Sequence, residues 1–78
     1  MSAVKELVEF ISKSLADDPG AVNVSEIEGE TSLVLELRVA PEDMGRMIGR
    51  DGRTINAMRS LSRVLGAKMG KKVTLEIV

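Results

Sequence analysis

The residues best suited to hold a ligand lie together at Gly49-Arg50-Asp51-Gly52, with Arg46 shortly before them and Arg53 directly after. Glycines three apart let a backbone come within hydrogen-bonding distance of a phosphate, because no Cβ stands in the way. A helix starting after Gly52 would bring unpaired N–H groups and its positive dipole end to the same place. Arg46, Arg50 and Arg53 add charge and forked donors that match phosphate oxygens. The same glycines would also serve as a plain turn between two helices, so the surroundings must decide between turn and phosphate clamp.

Other chemistry has few residues to work with. The chain has no cysteine and no histidine, so disulfides, thiolate metal sites and the usual general base near neutral pH are excluded. Glu42 and Asp43 read as a helix-start pair rather than a metal site, and neither a metal nor another cofactor nor catalysis is expected. No apolar run approaches the roughly 20 residues of a membrane span, and the opening MSAVKELVEF lacks a basic flank, so a soluble, cytoplasmic protein without a membrane partner is expected. The net charge of −1 conceals an asymmetry. Residues 1–40 carry three basic and eight acidic side chains, a balance of −5, whereas residues 41–78 carry eight basic and four acidic, a balance of +4. Such a bipolar chain can steer a polyanion to one face.

The elements that would position the loop follow from hydrophobic spacing. Val4, Leu7, Val8, Ile11 and Leu15 mark an amphipathic helix over residues 3–16, with Ser2 as its N-cap and Asp18-Pro19-Gly20 as its stop. Val22, Val24 and Ile27 suggest a short strand ending at Glu28-Gly29-Glu30. Leu33, Leu35, Leu37 and Val39 then alternate as a second strand, antiparallel to the first. Pro41-Glu42-Asp43 opens a short helix with Met44, Met47 and Ile48 as its stripe, and Gly49 stands where a left-handed C-terminal residue is expected. A longer helix after Gly52 has Ile55, Met58, Leu61, Val64, Leu65 and Met69 as its expected core positions. Its polar side carries Arg53, Asn56, Arg59, Ser60 and Arg63, and Gly66 or Gly70 helps end it. Val73, Leu75 and Ile77 mark a last strand within residues 71–78. The order α-β-β-α-α-β predicts an α+β fold, a mixed three-stranded sheet with three helices packed on one face, its last strand reached by a crossover long enough for parallel pairing. Residues 1–78 form one domain on this reading.

A GxxG match alone is weak, but Ile48-Gly49-Arg50-Asp51-Gly52-Arg53-Thr54-Ile55 between two helices in this element order resembles the signature of the KH domain in its type II, prokaryotic form. The likeness covers essentially the whole chain and looks most like the small bacterial KhpA family of RNA-binding proteins. It implies a clamp at Gly49, Arg50, Asp51 and Gly52 for about four nucleotides of single-stranded RNA. It also implies that Ile48 and Ile55 anchor the flanking helices and floor the groove, with Arg53 and Asn56 facing it. The implied role is that of an RNA chaperone or post-transcriptional regulator. The implied partners are a larger KH-containing protein of the KhpB (Jag) type and a second copy of the chain as a homodimer.

Asp51 fits the resemblance least, since a carboxylate beside a phosphate is repelled. Three roles are open to it: capping the following helix, weakening RNA affinity, or contacting a base edge. Two other functions compete with RNA binding. One is a protein-association scaffold that keeps the frame with little RNA affinity. The other is helix-turn-helix binding of duplex DNA by residues 42–65.

Overall fold

The computed structural model describes residues 2–78. Helix α1 spans Ala3–Leu15, strands β1 and β2 span Asn23–Glu28 and Ser32–Arg38, helices α2 and α3 span Met44–Ile48 and Arg53–Lys68, and strand β3 spans Lys72–Ile77. The fold is the expected α-β-β-α-α-β arrangement. In the sheet β2 is central, antiparallel to β1 and parallel to β3. Alternation along β2 sends Leu33, Leu35 and Leu37 to one face, where each is fully buried. Val73 and Leu75 of β3 join them in register. Val4 and Val8 of α1, Met47 of α2, and Ile55 and Met58 of α3 close over that face, so the three helices and the sheet share one core.

Several termini follow the local chemistry of the sequence. Ser2 caps α1 by accepting from the Lys5 N–H at 3.1 Å, and its hydroxyl donates to Glu26, which ties the helix start to β1. Helix α3 ends in a Schellman arrangement. The Lys71 N–H donates to the Gly66 carbonyl at 2.8 Å, the Gly70 N–H donates to Ala67 at 3.1 Å, and Gly70 takes φ 73°.

The structure corrects the expected core in four places. Leu61 and Val64 are 51% and 64% exposed, and Met69 is 40% exposed, while Ser62 and Gly66 are buried instead. The reason is the closeness of α3 to β3: a Cβ on Gly66 would stand 2.2 Å from Val73 Cγ2 and 3.0 Å from the Lys71 carbonyl, so only small residues fit there. In α1, Ser12 rather than Leu15 turns inward, and its hydroxyl meets Met58 Sδ at 3.9 Å. Ile27 is 61% exposed because its partner across the ladder, Val34, lies on the uncovered sheet face. Asp43, finally, is no surface helix-start residue. It is fully buried, and its carboxylate accepts from the backbone N–H of Asp17 at 3.0 Å and of Asp18 at 3.1 Å, stapling the chain after α1 to the start of α2.

Candidate nucleic-acid interface

Helix α2 stops because Gly49 takes φ 78°, ψ 172°, a conformation that is essentially confined to glycine and is not the left-handed helical one expected from the sequence. Space imposes the same choice: a Cβ there would lie 2.3 Å from Thr54 Oγ1 and 2.8 Å from the Thr54 nitrogen. Arg50 keeps a helical conformation, Asp51 is left-handed at φ 56°, ψ 25°, and Gly52 is left-handed at φ 76°, ψ 14°. A helical residue followed by a left-handed one turns successive N–H groups to one side, making a concavity suited to anions. Among the described residues, no backbone acceptor takes the N–H groups of Arg50 or Asp51, whereas Gly52 donates to the Gly49 carbonyl at 3.1 Å.

Asp51 does not cap α3. Gly52 is the capping residue and, among the described residues, no side chain bonds to that helix start, so the capping role anticipated for Asp51 falls away. The reason is conformational: with Asp51 itself in the left-handed region, the chain turns one residue later than a cap at 51 requires. Aspartate is among the few non-glycine types that enter this region readily.

The residues picked from sequence separate into two groups. Arg50, Asp51 and Arg53 are exposed and Gly49 and Gly52 half-exposed at the loop. Arg50 and Arg53 make no side-chain hydrogen bond or ion pair to other described residues. Ile55 is buried in the core, but Ile48 is 37% exposed rather than enclosed. Arg46 is drawn away from the loop. It pairs with Asp17 at 3.0 Å and reaches the Leu15 carbonyl at 3.5 Å, so its charge belongs to the α1–α2 junction.

Asn56 connects the loop to a second feature. A Cβ on Gly52 would be 3.3 Å from Asn56 Nδ2, and Asn56 Oδ1 accepts from Arg59 Nη1 at 3.1 Å. Gly52, Asn56, Arg59 and Arg63 are spaced four, three and four apart, one face of α3. That row runs into an open groove between α3 and β3, lined by Arg59, Arg63 and residues 71–76. Among the described residues strand β3 pairs only with β2, so its outer edge is open. Lys72 and Val78 donate inward to Thr31 and Leu37, so Val73 and Leu75 turn their backbone groups outward, and Arg59 Nε donates to the Leu75 carbonyl at 3.1 Å. Arg59 and Arg63 read in the sequence as solvated polar positions. The signal that could have placed them was the shared face with Gly52 and Asn56.

Comparison with known proteins gives a consistent picture. The family model described as KhpA/KhpB, KH domain matches residues 5–77. An RNA-binding protein KhpA from Clostridium perfringens is 51% identical over 75 residues, covering 96% of this chain and 100% of the relative. One from Aquifex aeolicus, with the same description, is 47% identical over 78 residues, covering 100% and 99%. Among solved structures, an Aquifex aeolicus Era variant bound to GDP and aluminium fluoride aligns with a TM-score of 0.63 at 23% identity, over 95% of this chain and 29% of Era. A structure of Era with MgGDPNP and nucleotides 1506–1542 of 16S ribosomal RNA aligns equally well, over 28% of its length. At that identity the likeness to Era concerns the fold, and this chain spans less than a third of it.

Proposed function

The chain belongs to the KhpA/KhpB KH-domain family, and from that premise we propose that it is a non-catalytic protein that binds single-stranded RNA. The observation that carries this reading is the backbone of the loop: two N–H groups without backbone partners in an anion-receptive turn, bordered by Arg50 and Arg53. A phosphate held there leaves the following nucleotides beside Asn56 and the groove against β3. The sole aromatic residue, Phe10, lies on α1, so base stacking on aromatic rings contributes nothing in this groove. Binding rests on backbone clamping, arginine charge and aliphatic contact, which favours low sequence specificity and a role as RNA chaperone or post-transcriptional regulator. Residues 1–78 act as one KH domain in this reading, in the cytoplasm.

One module gripping about four nucleotides binds weakly, so useful avidity needs a second one. We assign that role to a larger KH-containing protein of the KhpB (Jag) type, or to a second copy of this chain. We assign the contact to Leu61 and Val64, two exposed apolar side chains on α3. The same two residues favour the rival reading, a scaffold with little RNA affinity. Replacing Arg50 by Asp together with Arg53 by Ala separates the two readings. RNA crosslinking in cells is expected to collapse while partner pull-down persists, and unchanged crosslinking with lost partner binding would refute the RNA reading.

A further inference from the structure

Basic side chains around the groove are not equivalent, and Lys71 is the one whose charge is most fully engaged within the fold. Its ammonium donates to the Gly29 carbonyl and to the Glu30 carbonyl at 2.9 Å, and pairs with the Glu28 carboxylate at 3.3 Å. Its side chain is only 16% exposed. The backbone of the same residue closes the end of α3 through Gly66, and the next N–H, that of Lys72, donates to Thr31 at 2.8 Å. Lys71 thus joins three parts of the chain at one corner: the end of α3, the start of β3 and the turn between β1 and β2. Residue 71 is also part of the groove lining.

We infer that Lys71 is a positioning residue for RNA binding, which holds the Glu28–Glu30 turn against the start of β3, at the end of the groove that Lys71 and Lys72 line, and does not itself bind a phosphate. Internal acceptors and phosphate compete for the same ammonium. An ammonium has three donors, and here two carbonyls and a carboxylate take them, so a phosphate would have to displace an arrangement that the fold supplies without cost of association. Without the clamp, the Glu28 carboxylate loses the cation that pairs with it, and the turn that carries Glu30 loses its two carbonyl anchors. Arg63 and Lys72, which make no side-chain bond to other described residues, are left as the groove cations available to RNA.

This inference rests on the RNA-binding reading, and the experiment keeps the two apart. Titration of a short mixed-sequence single-stranded RNA at several salt concentrations is compared for the natural protein, Lys71→Met, Lys71→Arg and Arg63→Ala. Amide spectra of the RNA-free proteins report the turn. Lys71→Met is expected to shift the amides of residues 28–31 and to weaken binding about fivefold, with the salt slope retained. Lys71→Arg, which can still reach the carbonyls, is expected to restore affinity. Arg63→Ala should instead lower the slope by about 0.7, the value for one lost phosphate contact on a single strand. A drop of that size for Lys71→Met with an undisturbed turn would make Lys71 a direct contact and overturn the proposal. Undiminished affinity in Lys71→Met despite shifted turn amides would overturn it too, by leaving the clamp purely structural. Absence of binding by the natural protein would sink the RNA-binding reading itself, whatever the spectra show of the turn.

Discussion

Asp51 occupies the left-handed region between two arginines, with its carboxylate exposed and capping nothing. Its side chain is therefore accounted for by backbone conformation, and its charge would oppose a phosphate held in the proposed clamp. Asn keeps the tolerance for this conformation and removes the charge. Asp51→Asn is thus expected to bind single-stranded RNA about threefold more tightly at low salt, with an unchanged melting temperature, as a titration and a thermal melt would read. Weaker binding would mean that the carboxylate contacts a base edge. The glycines of this loop were legible in the sequence, whereas the reason for Asp51 was not. Aspartate suits both a helix cap and a left-handed residue, and the choice depends on where the chain turns, which here makes Gly52 the cap of α3. Arg46 was misplaced for a similar reason. Its proximity in sequence to the loop says nothing of Asp17, which lies 29 residues away and takes its charge.

At the scale of elements, the periodicity of the strands and helices gave the order and the sheet, because apolar alternation and capping residues are local signals. It failed on the inner face of α3, where closeness to β3 outweighs hydrophobicity. Gly66 faces β3 where a Cβ would not fit, Ser62 is buried, and Leu61 and Val64 are turned out. Gly66→Ala tests this directly. Alanine is better than glycine within a helix by roughly 1 kcal/mol, but overpacking against a backbone carbonyl and a strand side chain costs about 1–3 kcal/mol. The net expectation is a lower melting temperature, and a higher one would show that α3 and β3 can part at no cost. The Asp43 staple makes a second prediction at this scale. The backbone N–H groups of Asp17 and Asp18 hold its carboxyl below the ordinary value of 3.8, with Arg46 assisting and burial opposing. A folded-state value depressed in this way contributes stability that is present above 3.8 and lost as pH falls through the folded value. Acid melts of the natural protein should therefore lose stability below that pH, and Asp43→Asn should be less stable at neutral pH with a flatter acid dependence. Parallel acid profiles for the two would remove Asp43 from the account.

Over the whole molecule, the two halves differ in charge by nine units, −5 against +4, yet they interleave in one core, with β1 and β2 from the acidic half and β3 from the basic half in one sheet. The basic excess gathers on α3, at the loop and along the groove, which is how a chain with a net charge of −1 can still attract a polyanion. The exposed Leu61 and Val64 lie on α3 but off the face that carries Asn56, Arg59 and Arg63, so the proposed association and RNA binding are separable by mutation. Leu61→Asp is expected to abolish self-association in sedimentation while leaving affinity for a short RNA within about twofold. Retained association would place the contact elsewhere. The central claim, that the Gly49–Gly52 loop and its arginines hold a single-stranded phosphate backbone, is met most directly by one titration. Affinity for single-stranded RNA and for mixed-sequence duplex DNA is measured against salt for the natural protein and for Arg50→Ala with Arg53→Ala. The account predicts preference for the single strand, a steep loss of affinity with salt, and a slope lower by about 1.4 in the double variant, two phosphate contacts on a single strand. Preference for the duplex, or an unchanged slope and affinity in the double variant, would contradict it.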